Sequence, residues 1–411
     1  MEQSEETNAR RAGFWEGSLG YPQAVAVALA AFAVGIVYQW RIPRMPQVPF
    51  SIAAGICAAF VVIVGFASLR WRRTRVMEWI TGIPFAVVSI VGVMLLAAVG
   101  AAVPEATLRA RFGMQSAYSS WPFAMMLFVM LTNLVGVSAR RMWPLSFRNV
   151  RFTLNHLGLA VTLIGGVMSA AGLERSNLVL ELGHPTAMAE AVDGKPVPLP
   201  FQATLRQFRL ASFPPTLALA ESDPKAPDGA RITAGEQFAK PGLTERIGPY
   251  SVKVLEYLPR AAKVGGVWRA VNFPTAAPAV RVEVSDAAGH PAAAGWVSSG
   301  SVDTESAFLP LGEDRALFMP PPRPREFRST VAIFRDGRTE VREIRVNQPI
   351  SVGPYRLYQL SYDEKMGAAS EFSVIEVVRD RGLPVVYAGL FMLLAGAALF
   401  LWEGAREGGS E

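Results

Sequence analysis

Three histidines are the side chains of this 411-residue chain best suited to binding a metal: His156, His184 and His290. A neutral imidazole can ligate a metal through one ring nitrogen while an acceptor orients the other. His156 lies inside a long uncharged stretch, where an ionisable group is costly and usually faces a partner, a cavity or a ligand. His184 and His290 each precede a proline, which is typical of surface turns.

Haem iron is the metal that best suits His156, because a porphyrin is apolar and fits among helices. Its propionates would be within reach of Arg148 and Arg151, which precede the histidine in sequence. The alternative is that His156 hydrogen-bonds a neighbouring helix and that the arginines serve only membrane topology. Position alone leaves both interpretations open.

Other chemistry has little support. The chain holds no Gly-rich phosphate loop and no His-Glu-x-x-His motif, so conventional catalysis by this chain is not predicted. The single cysteine, Cys57, excludes a C-x-x-C reductase and is typical of a small apolar packing residue. A di-haem electron conduit needs four axial ligands, and this chain has one intramembrane histidine. No basic stripe is interleaved with aromatics, so we expect no nucleic-acid partner.

The elements that must position His156 are membrane spans. The chain is 51% hydrophobic and 18% charged. Each uncharged stretch has roughly the 20 residues needed to cross a hydrocarbon core about 30 Å thick, and each must be helical to satisfy its backbone in lipid. The predicted spans are 17–40, 45–69, 79–104, 112–139, 152–173 and 382–402.

Arginines predict the direction in which the chain crosses the membrane. The loop after the second span holds Arg70, Arg72, Arg73 and Arg75, and the loop after the fourth holds Arg140, Arg141, Arg148 and Arg151. The positive-inside bias makes these loops cytoplasmic. We therefore expect a cytoplasmic N-terminus (1–16), a five-helix membrane region (17–173), an extracytoplasmic β-rich domain (174–381), a sixth span (382–402) and a cytoplasmic tail (403–411). The chain would lie in contact with membrane lipid.

The block 174–381 is predicted to be β-rich. Val280, Val282 and Val284 alternate with charged residues, as in a half-buried strand. Asp336-Gly337 predicts a tight hairpin turn. The segments 247–257 and 352–362 both begin Gly-Pro-Tyr after an apolar residue, which indicates either two similar β units, packed as a sandwich or open barrel, or a chance match. The stretch 217–245 is rich in Pro, Ala, Gly and charge, and we expect a loop there.

Several motifs resemble the ResB family. They are the run Trp121 to Leu134, Phe152-Thr-Leu-Asn-His-Leu-Gly158, Tyr358 to Tyr362, and Val377 to Asp380 with the following Leu383-Pro-Val-Val-Tyr-Ala-Gly389. The order of spans, outer domain and final span is also that of ResB. The resemblance covers roughly residues 79–402, and the first two spans are additional.

The resemblance implies a subunit of System II cytochrome c biogenesis, located in a bacterial cytoplasmic (inner) membrane. Such a subunit works with a ResC/CcsA-type membrane partner to export haem and attach it to apocytochrome c. It implies that His156 shares axial ligation of a transient haem with a histidine of the partner. The subunit itself would not be the catalytic centre of the haem lyase.

Two departures from the family pattern limit what is carried over. The chain has no tryptophan-rich haem motif, and its last span has no histidine, so no second ligand comes from that span. The competing hypothesis is a non-haem scaffold whose β-domain docks a respiratory complex.

Overall fold

The computed structural model describes residues 19–46, 48–223, 225, 230–238, 242 and 244–407. They fall into two compact units. One ends at Leu173 and resumes at Asp380, and the other is Glu174–Arg379. The helices belong to the first unit: α1 Tyr21–Arg41, α2 Phe50–Arg70, α3 Arg75–Ile80, α4 Ile83–Ala102, α5 Glu105–Phe112, α6 Trp121–Arg141, α7 Phe147–Gly172 and α8 Leu383–Glu407.

Six of these helices are long and apolar enough to cross a membrane: α1, α2, α4, α6, α7 and the segment Leu383–Trp402 of α8. Six membrane-length helices were predicted, and the described residues confirm them. Most boundaries agree within five residues, but two of the predicted stretches are organised differently. The stretch 79–104 is divided by a turn at Thr81–Gly82, after which α4 begins. The stretch 112–139 becomes helical only at Trp121.

The start of α6 has a local cause. The Ser120 hydroxyl accepts a hydrogen bond from the Phe123 backbone N–H at 3.4 Å, and Pro122 occupies the first helical turn. Capping by serine and proline in the first turn both favour a helix start. Gly113, with φ of 65°, ends α5 just before this loop. Apolar composition alone does not reveal helix caps, so the predicted span 112–139 began before the helix does.

The second unit consists of strands, as predicted. They are β1 Leu173–Glu181, β2 Pro185–Ala191, β3 Pro196–Ser212, β4 Thr216–Ser222, β5 Ala230–Phe238, β6 Thr244–Ile247, β7 Tyr250–Val264, β8 Val267–Ala270, β9 Ala277–Ser285, β10 Pro291–Ser298, β11 Leu309–Pro310, β12 Arg315–Phe318, β13 Pro324–Arg335, β14 Arg338–Arg345, β15 Ile350–Val352, β16 Tyr355–Tyr362 and β17 Phe372–Asp380. A short 3₁₀ helix, Gly367–Ala369, precedes β17.

The largest sheet has eight strands in the order β14-β13-β3-β2-β1-β17-β16-β15. A single apolar core contains residues from every one of its strands, including Ile344 of β14 and Val352 of β15 at the two edges. Strand β14 also approaches β15 and β16. The sheet is therefore curled into an open barrel, with no ladder joining its edges among the described residues.

A smaller β sandwich is inserted between β3 and β13, which are neighbours in the large sheet. Its two sheets have the orders β10-β9-β7-β6 and β11-β12-β4-β5, and β8 pairs with β7. The predicted strand through Val280, Val282 and Val284 is confirmed as β9, with these valines in the sandwich core. Asp336 and Gly337, with φ of 51° and 76°, form the predicted hairpin turn between β13 and β14.

The Gly-Pro-Tyr repeat proves to be two hairpins in different sheets. One joins β6 to β7 in the sandwich, and the other joins β15 to β16 in the open barrel. Gly248 and Gly353 have φ of 61° and 58° at the two turns, a conformation that glycine adopts at little cost. The two β units themselves differ in strand number and order.

The predicted loop at 217–245 was wrong for most of its described residues. Strands β4, β5 and β6 lie there, while 224, 226–229, 239–241 and 243 fall outside the described residues. Leu217 and Leu219 are buried in the sandwich core. Alanine-rich segments have weak intrinsic strand preference, and pairing of β4 with β12 and β5 overrides it.

Candidate functional site

His156 lies on α7, nine residues after the helix begins, or about 14 Å along its axis. The face of α7 opposite to it packs closely against α8. Glycines recur every seventh residue on both helices: Gly158, Gly165 and Gly172 on α7, and Gly382, Gly389 and Gly396 on α8. This period keeps one row of residues at the interface of two packed helices.

Backbone contact explains why glycine is needed at this interface. A Cβ on Gly165 would lie 2.6 Å from the backbone N of Val386, and one on Gly158 would lie 2.9 Å from the backbone N of Leu393. By contrast, a Cβ on the adjacent Gly166 would meet nothing within 4 Å. Small residues let helix backbones approach closely in membranes. The register of α8 on α7 is thereby fixed.

Asp380 strengthens the same register at one end. Its carboxylate accepts hydrogen bonds from the backbone N–H of Gly382 at 2.9 Å and of Leu383 at 3.1 Å, at the start of α8. It also accepts a hydrogen bond from the Ser169 hydroxyl of α7. One carboxylate therefore both caps α8 and joins it to α7.

The imidazole of His156 is oriented by its own helix. His156 Nδ1 lies 3.0 Å from the carbonyl oxygen of Phe152. Because a carbonyl oxygen can only accept, Nδ1 carries the proton and Nε2 keeps its lone pair. The side chain is half-buried, and Nε2 has no hydrogen-bond partner among the residues that the structure describes. A neutral imidazole in this arrangement is able to bind a metal through Nε2.

Aromatic and cationic groups surround this ring. The Phe152 ring stacks on the imidazole with centroids 3.8 Å apart and an interplanar angle of 18°. The guanidinium carbon of Arg141, the last residue of α6, lies 4.4 Å from the centroid of Phe152. Arg141, Phe152 and His156 thus form a stack across the α6–α7 connection. The ring of His156 has a flat apolar neighbour and a fixed positive charge close by.

The predicted arginines take different positions. Arg148 is exposed near the start of α7. The guanidinium carbon of Arg151 lies 4.8 Å from the ring centroid of Phe400, so this side chain faces α8. Five residues separate Arg151 from His156, which places them about 140° apart around the helix. Arg148 and Arg151 remain predictions as propionate contacts, and Arg141 is the guanidinium found beside the stack.

Sequence reasoning did not single out Arg141, although it had placed the residue in the same basic loop. Its neighbour Arg140 has a different role. The Arg140 guanidinium donates to the backbone carbonyls of Met77 at 3.3 Å and Arg72 at 3.0 Å and to the Thr81 hydroxyl, joining α6 to α3. Two consecutive arginines therefore contact different helices, Arg140 α3 and Arg141 α7. Composition alone does not predict this difference.

Thr153 is a second residue that the sequence did not identify. Its hydroxyl oxygen is buried and has no hydrogen-bond partner in the described part of the chain. A threonine in a helix usually donates to the carbonyl one turn earlier. Thr153 is three residues before His156, on a neighbouring part of the helix surface. It is an unsatisfied polar group next to the candidate ligand.

The remaining histidines lie at the surface, as the sequence predicted. His184 is in the turn between β1 and β2, with Nδ1 3.9 Å from a Glu181 carboxylate oxygen. His290 is in the turn between β9 and β10, with Nδ1 3.4 Å from Asp286. Both side chains are exposed. The described residues contain no group of three or more His, Cys, Asp or Glu that could hold a metal ion.

A model of the ResB-like family matches residues 298–370, from the end of β10 to the 3₁₀ helix. This match confirms the ResB resemblance. The family is associated with cytochrome c biogenesis. A search of curated proteins gave no match.

Proposed function

We propose that this chain is a haem-handling subunit of System II cytochrome c biogenesis, with His156 as one axial ligand of a haem in transit. The observation that carries the proposal is the geometry of His156. Its Nδ1–H is held by the Phe152 carbonyl, and its Nε2 is directed away from that bond without a partner among the described residues. Haem is the cargo here, not a resident cofactor.

The neighbours of His156 fit an apolar, anionic cargo. Phe152 offers a flat ring beside the imidazole, and Arg141 supplies a positive charge that complements propionates. Arg148 and Arg151 stand as further candidates for propionate contact. One axial ligand from this chain leaves the second iron position for a histidine of a ResC/CcsA-type partner, and transfer requires that neither protein hold the haem alone.

The distribution of arginines supports a direction for haem transport. With the arginine-rich loops around α2, α3, α6 and α7 on the cytoplasmic side, His156 lies on the side from which haem enters. Five crossings from a cytoplasmic N-terminus would then put 174–381 on the extracytoplasmic side of a bacterial inner membrane, where apocytochrome c would be matured. We assign this chain no bond-forming step, so it would be a non-catalytic subunit of the haem lyase.

The test is an absorption spectrum of the full chain purified in detergent with its candidate ResC/CcsA-type partner. Wild type is compared with His156→Ala and with His184→Ala, which removes an exposed histidine. We expect the Soret band to be lost or shifted in His156→Ala and unchanged in His184→Ala. Added imidazole should restore the band in His156→Ala, because it supplies the missing nitrogen ligand.

Two outcomes would contradict the proposal. An unchanged Soret band in His156→Ala would mean that the partner holds the haem alone. Absence of haem from a stable wild-type complex would favour the non-haem scaffold hypothesis, in which His156→Ala costs only the hydrogen bond to the Phe152 carbonyl, about 1 kcal/mol.

A further inference from the structure

In the described part of the chain, no ladder joins the two edge strands of the eight-stranded sheet, and the one bridge near them links Arg345 of β14 to Gln348, before β15 begins. Strands β14 and β15 end the sheet on opposite sides, and β14 approaches β15. Barrels remove exposed edges by closing, whereas an open barrel leaves rows of unpaired backbone groups. Such edges are sites at which an extended peptide can add as a strand.

The register of the β13–β14 hairpin identifies which backbone groups are free. The two-residue turn makes Arg335 and Arg338 a hydrogen-bonded pair, so even-numbered residues of β14 bond to β13. The N–H and C=O groups of Thr339, Val341 and Glu343 then point away from β13. The contact of the Arg345 N–H with the Gln348 carbonyl, at 3.5 Å and also away from β13, agrees with this alternation.

A groove of about 610 Å³ lies between this edge and β15, within the range of about 300–1,000 Å³ typical of ligand clefts. Its basic side chains are Arg335, Arg338 and Arg342, and its floor includes Val352 and Gly353. The whole groove falls inside the segment that the family model matches.

The charge in the groove is unbalanced. Arg335 Nε lies 3.1 Å from an Asp336 carboxylate oxygen, and Arg342 binds Glu340 at 2.7 Å. The Arg338 guanidinium has no ion pair or hydrogen bond among the described residues. Three arginines thus face two carboxylates that are already paired, which leaves one guanidinium for an incoming anion. A guanidinium binds a carboxylate with two parallel hydrogen bonds.

We propose that this groove binds an extended peptide with acidic side chains at alternate positions, which adds as a strand to β14. Backbone groups of the peptide would pair with Thr339, Val341 and Glu343. Every second side chain would face the groove, where Arg338 and Arg342 lie on the same face of β14. This inference goes beyond haem handling and does not rest on it, because no residue of the α7 site takes part.

The test uses the full-length protein in detergent and fluorescence anisotropy of a labelled probe. The probe is a peptide of about eight residues, a common strand length, that alternates threonine and glutamate. Its control alternates threonine and lysine. We expect wild type to bind the glutamate peptide at least about tenfold more tightly than the lysine peptide, since opposite charges are favoured and like charges repel.

Two variants separate charge from backbone pairing. Arg338→Glu should weaken the glutamate peptide by at least about tenfold and improve binding of the lysine peptide. Val341→Pro removes one outward N–H without removing a bond to β13, and should also weaken binding. The matched controls are Arg269→Glu, on β8 of the sandwich, and Val341→Thr, which keeps the N–H. Both controls should bind as wild type does.

Equal affinity for the two peptides would overturn the proposal, and so would wild-type binding by Arg338→Glu. If Val341→Pro folds and binds as wild type, strand addition is wrong. If Val341→Pro does not fold, the binding measured for Arg338→Glu, a substitution at an exposed residue, is the test of the proposal. Haem content of the same samples reports separately on the α7 site.

Discussion

The two faces of α7 differ in how closely they pack and in which residues they carry. One face carries Gly158 and Gly165 and contacts the backbone of α8 directly, so it has no room for an added atom. The other carries His156, which is half-buried and stacked on Phe152 and whose Nε2 has no partner in the described part of the chain. About 200° of helix rotation separates His156 from Gly158. Close packing on the glycine face holds the position and rotation of α7. The opposite face does not have to supply that packing, so it can carry a side chain able to bind a ligand.

The largest effect should come from disturbing the fixed face. Gly165→Leu places a side chain where the backbone N of Val386 lies 2.6 Å from the Cβ position. The helix backbone cannot yield as a side-chain end would, so we expect a loss of about 3 kcal/mol or more. The measurement is thermal unfolding in detergent.

Gly166→Leu is the control for this change, because a Cβ at Gly166 meets nothing within 4 Å. It should unfold at nearly the wild-type temperature. Similar destabilisation by both variants would mean that leucine acts through helix propensity or lipid contact and not through the α7–α8 interface.

On the ligand face, Phe152→Leu should have an intermediate effect. The backbone carbonyl that holds His156 Nδ1 remains, so under the proposed haem ligation the Soret band should keep its position. The stacked ring is lost, and aromatic pairs contribute about 0.5–1.5 kcal/mol. Haem affinity should therefore fall by about two- to tenfold, measured by haem titration of the complex. A shifted band would show instead that Phe152 determines the ligand geometry.

The smallest expected effect is a difference in stability between variants of two threonines of α7, Thr153 and Thr162. Thr153 has a buried hydroxyl with no partner among the described residues, so Thr153→Val should stabilise the haem-free protein by about 1 kcal/mol. The Thr162 hydroxyl donates to the Gly158 carbonyl at 2.9 Å on the α8 face, and Thr162→Val should cost about 0.6 kcal/mol. Chemical denaturation of both variants provides the comparison. Shifts of the same sign would contradict the difference in hydrogen bonding between the two hydroxyls.

Much of this architecture could be predicted because it depends on local patterns. Long apolar runs specify membrane-length helices, the valines of β9 specify a half-buried strand, and Asp336-Gly337 specifies a turn. The loop predicted at 217–245 failed because β4 is alanine-rich and is held by its neighbours in the sandwich. Its strand character comes from partners that lie far away in sequence.

The features of the candidate site likewise fall into those that the sequence predicts and those that need the tertiary structure. The sequence alone determined that His156 is the one histidine within the apolar stretches, and that basic residues flank its helix, because residue type and hydropathy are local properties. Only the tertiary structure decided that Arg141 and not Arg151 lies beside the Phe152–His156 stack, that the Thr153 hydroxyl has no partner among the described residues, and that β14 and β15 leave a groove. Those facts depend on helix rotation and on how far a sheet curls, which are set by packing between distant segments.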